Sequence, residues 1–366
     1  MNAHAIRHNP AWTIALPLAG AAILLLTSFV APQIPGKVLL LIAGLVGSVV
    51  AAVHHAEVIA HRVGEPFGTL VLALAVTVIE VALIVSMMLS GGEATGALAR
   101  DTVFAAVMII LNGIIGISLL AGGRRHHEQG FRLQGVTAAM ATLTVIVAFT
   151  LLLPNYATSV QGPVYSASQL IFIALATLAL FAGFTFAQTV RHRDYFLPED
   201  EDGEDNPREH AEPPGNRDAL LSLAMLLLSL VAVVLSAKSI SPTIEALLEA
   251  AGAPAATLGI LIAAIVLLPE GVAAVRAAIH NRLQTSLNLA VGSAIASIGL
   301  TVPTVAVVSL VMGWPLVLGL DGKSSFLLIL SLFVASLSLR TGRTNALLGL
   351  VHLVLFAAYV FLSFIP

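Results

Sequence analysis

The sequence predicts an all-α polytopic membrane protein of about 11 transmembrane helices, laid out as one helix followed by two inverted five-helix repeats. Three observations lead there. Of 366 residues, 58% are hydrophobic and 10% charged, with mean hydropathy +0.98, whereas a soluble domain carries about 25% charged residues. The apolar residues fall into successive runs of about 20, the length that crosses a hydrocarbon core as a helix. The second half of the chain also repeats the first, weakly but in order.

The elements follow in turn. Residues 1–11 are polar, and Trp12 to Val30 forms the first span. A signal peptide is the rival reading of this start, but the apolar run is long and APQIPGK (31–37) lacks a small-x-small cleavage pattern, so a retained helix is expected. The next five spans are expected at roughly 38–60, 67–90, 102–121, 134–153 and 167–190. A hydrophilic segment, 191–218, then divides the chain. Five more spans are expected at 219–237, 256–279, 287–312, 324–339 and 344–364, the tenth being short. The organisation is therefore an N-terminal segment with the first helix (1–37), a first five-helix repeat (38–190), a cytoplasmic acidic linker (191–218) and a second five-helix repeat (219–366).

Charge distribution orients these spans. With the N-terminus in the cytoplasm, the segments on that side hold Arg7, Arg62, Arg124, Arg125, Arg132, Arg191, Arg193, Arg208, Arg217, Arg276, Arg282, Arg340 and Arg343, which is 13 of the 17 Lys and Arg residues. The opposite side holds Lys37, Arg100, Lys238 and Lys323. Basic loops stay cytoplasmic, so the C-terminus is expected outside.

The repeat centres on two acids. HHAEVIAHRVGEPFGTLVLALAVTVIE (54–80) lies over SPTIEALLEAAGAPAATLGILIAAIVLLPE (241–270), so Glu57 meets Glu245, Gly64 meets Gly252, Pro66 meets Pro254, and Glu80 meets Glu270. VMIILNGIIG (107–116) lies over GSAIASIGLT (292–301), setting Asn112 near Ser297. Five helices per half is an odd number, so the halves insert in opposite senses, as in many secondary transporters. Glu80 and Glu270 each fall mid-span, where a carboxylate costs about 2.5–3.5 kcal/mol on insertion scales and normally serves a cavity, a partner or a substrate path. A packed, proton-bearing glutamate is the plainer reading, but it leaves unexplained an acid at the same place in both copies.

Two carboxylates in a low-dielectric site can share a cation or take up protons. A hard cation such as Ca2+ gathers about six to eight oxygens, and Thr77, Asn112, Ser293 and Ser297 are the neutral donors near the acids in sequence. Small polar residues of this kind also serve helix packing. Gly113, Gly116 and Gly292 allow close helix approach, and Pro269 can free a backbone carbonyl beside Glu270. Protons and cations competing for the same oxygens would be the minimum machinery of exchange. Glu57, Glu245 and His54 are read as gating or access residues, although His54, Glu57 and His61 also suit a polar, cytoplasm-facing helix end. His352 reads as a packed histidine. The run from Glu199 to Glu212 reads as a solvated acidic linker, with a cation-collecting or regulatory loop as the sharper alternative. Cysteine is absent, which removes disulfides, thiolate metal sites and a Cys nucleophile.

HHAEVIAHRVGEPFG (54–68), LLPEG (267–271), GSAIAS (292–297) and RTGRTNALLGLVHLVLFAAY (340–359), with the two glutamate helices and the acidic loop, resemble the bacterial ChaA-type cation/proton antiporters of the calcium/cation antiporter (Ca2+/H+ exchanger, CAX) superfamily over nearly the whole chain. In the wider family the glutamates close a Gly-Asn-Ala-x-Glu pattern. Here those stretches read Val76-Thr77-Val78-Ile79-Glu80 and Val266-Leu267-Leu268-Pro269-Glu270, so Thr77 and Leu267 stand in place of the asparagines. The resemblance implies Ca2+/H+ exchange, with Glu80 and Glu270 alternately binding cation and protons. Na+/H+ or K+/H+ exchange on the same scaffold is the alternative, and a Ca2+-permeable channel a more distant one. An enzyme is not expected, since neither His-Glu-x-x-His nor Gly-x-Ser-x-Gly is present. No cofactor is implied beyond the transported Ca2+, Na+ or K+ and H+. The partners implied are membrane lipid, inorganic cations and protons, with homo-oligomer formation left open and no nucleic acid. The expected location is the bacterial inner membrane.

Overall fold

The computed structural model describes residues 9–30, 36–64, 67–91, 95–197, 214–250, 252, 254 and 256–365. Their secondary structure is helical throughout apart from one small sheet. The helices are α1 (Ala11–Leu25, extended by a π turn to Val30), α2 (Lys37–Val63), α3 (Phe67–Gly91), α4 (Leu98–Met108), α5 (Ile115–His126), α6 (Leu133–Val147), α7 (Ala167–Phe186), α8 (Asn216–Ala250), α9 (Ala256–Ile279), α10 (Leu283–Met312), α11 (Gly322–Ser338) and α12 (Ala346–Phe364). A π segment, Ile109–Ile114, joins α4 and α5 into one membrane helix, so the 12 labels amount to eleven rods, one plus five plus five. Among the described residues, nine helices are long and apolar enough to cross a bilayer; Gly322–Ser338 is an additional, shorter apolar helix, and Thr77–Leu89 a shorter apolar stretch of α3.

Local sequence explains the ends. Ser166 and Gln169 form a reciprocal capping box at the start of α7, and Asp321 accepts from the Ser324 amide, 2.6 Å away, at the start of α11. Asn345 accepts from the amides of Leu347 and Leu348 to open α12. Two glycines that the repeat aligns, Gly64 and Gly252, both take positive φ, +77° and +66°, where each half breaks before its glutamate helix.

Two differences from the expected spans stand out. The seventh span does not stop near residue 237: α8 runs on to Ala250 through Pro242. The residues beyond Lys238 and the Ser241-Pro242 pair, TIEALLEA, are mostly good helix formers and carry the helix on. A two-stranded antiparallel sheet, absent from the expectation, pairs β1 (Glu128–Gly130) with β2 (Arg343–Asn345) in the register Gln129 to Thr344.

The chain forms two compact units, residues 1–90 with 200–247, and residues 91–199 with 248–366. Each draws helices from both halves of the sequence. In the first unit, α1 packs on α2 through glycines: Gly44 lies against the Gly20 Cα, and a Cβ on Gly20 would come within 2.3 Å of Ser48 Oγ. In the second unit α10 packs against α4, α5, α6, α7 and α9, and α4 packs along α9. The rod Leu98–His126 is buried over 89% of its most apolar window, against 17% for Ala346–Phe364. The former is therefore the core of its unit, and the latter turns most of its apolar surface outward, as a lipid-facing helix does.

Candidate functional site

In the first unit, Thr77 and Glu80 lie one turn apart on α3, and both are buried, Glu80 with 3% of its surface exposed. A glutamate this deep in an apolar helix is an expensive side chain to keep. On α2, Glu57 and His61 are half-buried, but His54 is buried and its ring leans on Trp12 at 5.3 Å between centroids. The adjoining His55, which the sequence did not single out, is fully buried, and its Nε2 lies 3.0 Å from the Thr13 carbonyl. Of the three polar residues read as a cytoplasm-facing helix end, His54 is thus covered by α1, while Glu57 and His61 are half-buried. The side chain of Glu245 lies outside the described residues, as do Glu199 to Glu212.

In the second unit, Glu270 follows Pro269 in the middle of α9. The residue is half-buried, and both carboxylate oxygens are buried. Gly271 lies against Ile114 of the π segment, where an added Cβ would meet the Ile114 side chain at 3.3 Å. Ser297 of α10 is buried and Ser293, one turn earlier, is half-buried. The helix α9, the helix α10 and the π segment carrying Asn112 pack on one another, so the second unit gathers Glu270, Ser293, Ser297 and Asn112 on three mutually packed elements. π segments recur at functional sites because the extra residue re-aims side chains and main-chain groups.

Asn112 is fully buried and held from two helices. Its Nδ2 donates to Ser331 Oγ of α11 at 2.8 Å, and its Oδ1 lies 3.2 Å from His352 Nδ1 of α12. The other ring nitrogen of His352 lies 2.9 Å from Ser338 Oγ. The sequence pointed to Asn112 but not to Ser331 or Ser338. Their seven-residue spacing, which puts both on one helix face, was the available signal.

Among the described residues, no group of three or more His, Asp or Glu side chains is placed to hold a metal ion. The sodium/calcium exchanger protein model matches residues 34–190 and 221–365. The chain belongs to this family. It is 48% identical to y4hA of Sinorhizobium fredii over 98% of this chain and 97% of that one. It is 36% identical to the sodium-potassium/proton antiporter ChaA of Escherichia coli, over 89% of this chain and 88% of that one. Among solved structures, the H+/Ca2+ exchanger CAX superposes with a TM-score of 0.70 at 15% identity, covering 96% of this chain and 89% of that one, a likeness of fold. As an exchanger-family member the chain is a polytopic membrane transporter, not an enzyme, and its all-α fold is like that of the solved exchangers.

Proposed function

We propose that this exchanger-family chain is a proton-driven cation antiporter, exporting Ca2+ as protons enter, with Glu80 and Glu270 alternately binding cation and protons. The carrying observation is the placement of one buried carboxylate mid-helix in each half, Glu80 on α3 and Glu270 on α9. Two carboxylates match a divalent cation in charge, and two protons replace it without changing the charge of the site. Neutral oxygens come from Thr77, Asn112, Ser293 and Ser297, and Glu57, Glu245 and His54 serve gating or access. The protein sits in a bacterial inner membrane, N-terminus inside and C-terminus outside.

Exchange of Na+ or K+ is the second reading. It is favoured by the 36% identity to ChaA, whose name specifies sodium-potassium/proton antiport. The buried, apolar Leu267, which can offer no side-chain oxygen beside Glu270, also favours it.

The test is dye-reported proton flux in inverted membrane vesicles with an imposed pH gradient, adding Ca2+, Na+ and K+ separately. Collapse of the gradient by Ca2+ supports the first reading. Collapse by Na+ or K+ with none by Ca2+ supports the second. No response to any cation, with the protein present in the membrane, would overturn both.

A further inference from the structure

The hydrogen bonds around Asn112 can run in one of two directions, set by which serine gives its hydroxyl proton to the carbonyl one turn back. In one direction Ser331 donates its hydroxyl proton to the Leu327 carbonyl at 2.7 Å, and its oxygen accepts from Asn112. That turns the Nδ2 group of Asn112 toward α11 and its carbonyl oxygen toward His352. For the 3.2 Å contact to be a hydrogen bond in this direction, the ring carries its proton on Nδ1, and the Ser338 hydroxyl donates to Nε2 at 2.9 Å in place of the Val334 carbonyl at 2.5 Å. The chain then runs from Ser338 to His352 to Asn112 to Ser331 to the main chain of α11; in the reverse direction Ser338 donates to Val334 and Ser331 to the Asn112 carbonyl oxygen.

Glycines make the approach that brings the ring in. A Cβ on Gly116 of α5 would lie 3.1 Å from the His352 Cβ, and one on Gly349 of α12 would lie 2.8 Å from the Gly116 carbonyl. One turn further along α12, Phe356 covers Gly113, 3.5 Å from an added Cβ. A fully buried polar chain with every member paired fixes side-chain geometry more tightly than isolated pairs do.

We propose that the chain runs from Ser338 to Ser331 and makes His352 a positioning residue for cation binding. Through Nδ1–H it fixes the direction of the Asn112 side-chain carbonyl. The histidine uses one of that oxygen's two lone pairs and aims the other for a cation. This rests on the reading of Asn112 as one of the cation's neutral oxygens. Ser331 does the same work from the amide side, and the cation's apparent affinity depends on residues of α11 and α12 that do not touch it.

The test uses the full-length chain in proteoliposomes, with the KM for whichever of Ca2+, Na+ and K+ the wild type transports. Asn112→Ala, His352→Leu, the double variant, His352→Asn and His352→Gln are compared. His352→Leu is expected to raise KM about three- to tenfold, the scale of one lost hydrogen bond, with a smaller change in Vmax. The double variant should be no worse than Asn112→Ala alone. His352→Asn, which keeps a donor at the Nδ1 position, should restore KM, and His352→Gln, which keeps only the Nε2 position, should not. A packing role alone would favour Gln, the closer match in volume. Additive effects in the double variant, a lower KM in His352→Leu, or equal behaviour of the Asn and Leu variants would overturn the inference while leaving the antiporter intact. An Asn112→Ala chain with unchanged KM would remove Asn112 from the site and the inference with it. A wild type that transports none of the three cations would overturn both this inference and the proposed function.

Discussion

Gly349 of α12 lies so close to Leu120 of α5 that a Cβ on it would stand 2.3 Å from the Leu120 amide nitrogen. Main chain cannot yield as the tip of a flexible side chain can, so any larger residue must push the helices apart. The crossing is repeated at Gly123, where a Cβ would lie 2.3 Å from the Ala346 amide nitrogen. Gly349→Ala is therefore expected to destabilise the detergent-purified chain by about 1–3 kcal/mol, the range for overpacking, read as a lower thermal midpoint. Gly183→Ala is the control. Nothing lies within 4 Å of a Cβ there, and replacing an open helical glycine should stabilise by about 0.5–1 kcal/mol. Equal midpoints for the two variants would show that the crossing is looser than described.

Glu80→Gln and Glu270→Gln test the two acids separately. Glutamine keeps the shape but neither takes up a proton nor supplies charge. Each variant is expected to insert at wild-type levels and to reduce cation-dependent proton flux in vesicles to background. Exchange near the wild-type rate in either variant would remove that glutamate from the mechanism.

The helical class and the two glutamates were legible because both rest on one-dimensional signals: apolar runs of bilayer length, and an acid where an acid is costly. The repeat was legible at Gly64 and Gly252 because the same backbone bend demands the same residue. What the sequence concealed depends on distant partners. Asn112 and Ser331 are 219 residues apart, so the amide's orientation is a property of packed helices. The β1–β2 pairing joins two three-residue segments with little intrinsic strand preference, and only the surrounding helices bring them together. The π turn at Ile109–Ile114 leaves no mark in the apolar pattern, because every residue there is buried. The burial of His54 was not legible because a histidine pair followed by Glu57, His61 and Arg62 looks wet until a neighbouring helix covers it.

At the start of α4, Arg100 pairs with Asp101 at 2.7 Å, and its other guanidinium nitrogen donates to the Gly319 carbonyl at 3.3 Å. Their side chains are 22% and 16% exposed, so solvent screens the pair in part. Removing one partner should cost more than removing both, because the single variant leaves a charge in a poorly solvated place. Arg100→Gln is expected to lower stability by about 1–3 kcal/mol, below the 3–5 range of fully buried pairs. Arg100→Gln with Asp101→Asn should recover a large part of that loss. Additive losses in this double-mutant cycle would mean the two side chains are independent.

The short helix α11 decides which side the C-terminus occupies. Its 17 residues span about 25 Å, somewhat less than a hydrocarbon core of about 30 Å. Two features nonetheless favour a full crossing. Lys323 in its first turn can snorkel, and its Nζ donates to the Leu362 carbonyl at the far end of α12. Arg340 and Arg343 beyond its end suit the cytoplasmic side. The chain has no cysteine, so any single cysteine is a unique label site. Thr341→Cys and Ile365→Cys fall on opposite sides if α11 and α12 each cross once. A membrane-impermeant maleimide is expected to label Ile365→Cys in intact cells, and to label Thr341→Cys only after the membrane is opened. Labelling of both in intact cells, or of neither, would mean that α11 and α12 do not form two separate crossings. The mirrored result, Thr341→Cys alone reacting, would mean either that α11 does not cross or that the whole chain is inverted relative to the orientation read from the arginines.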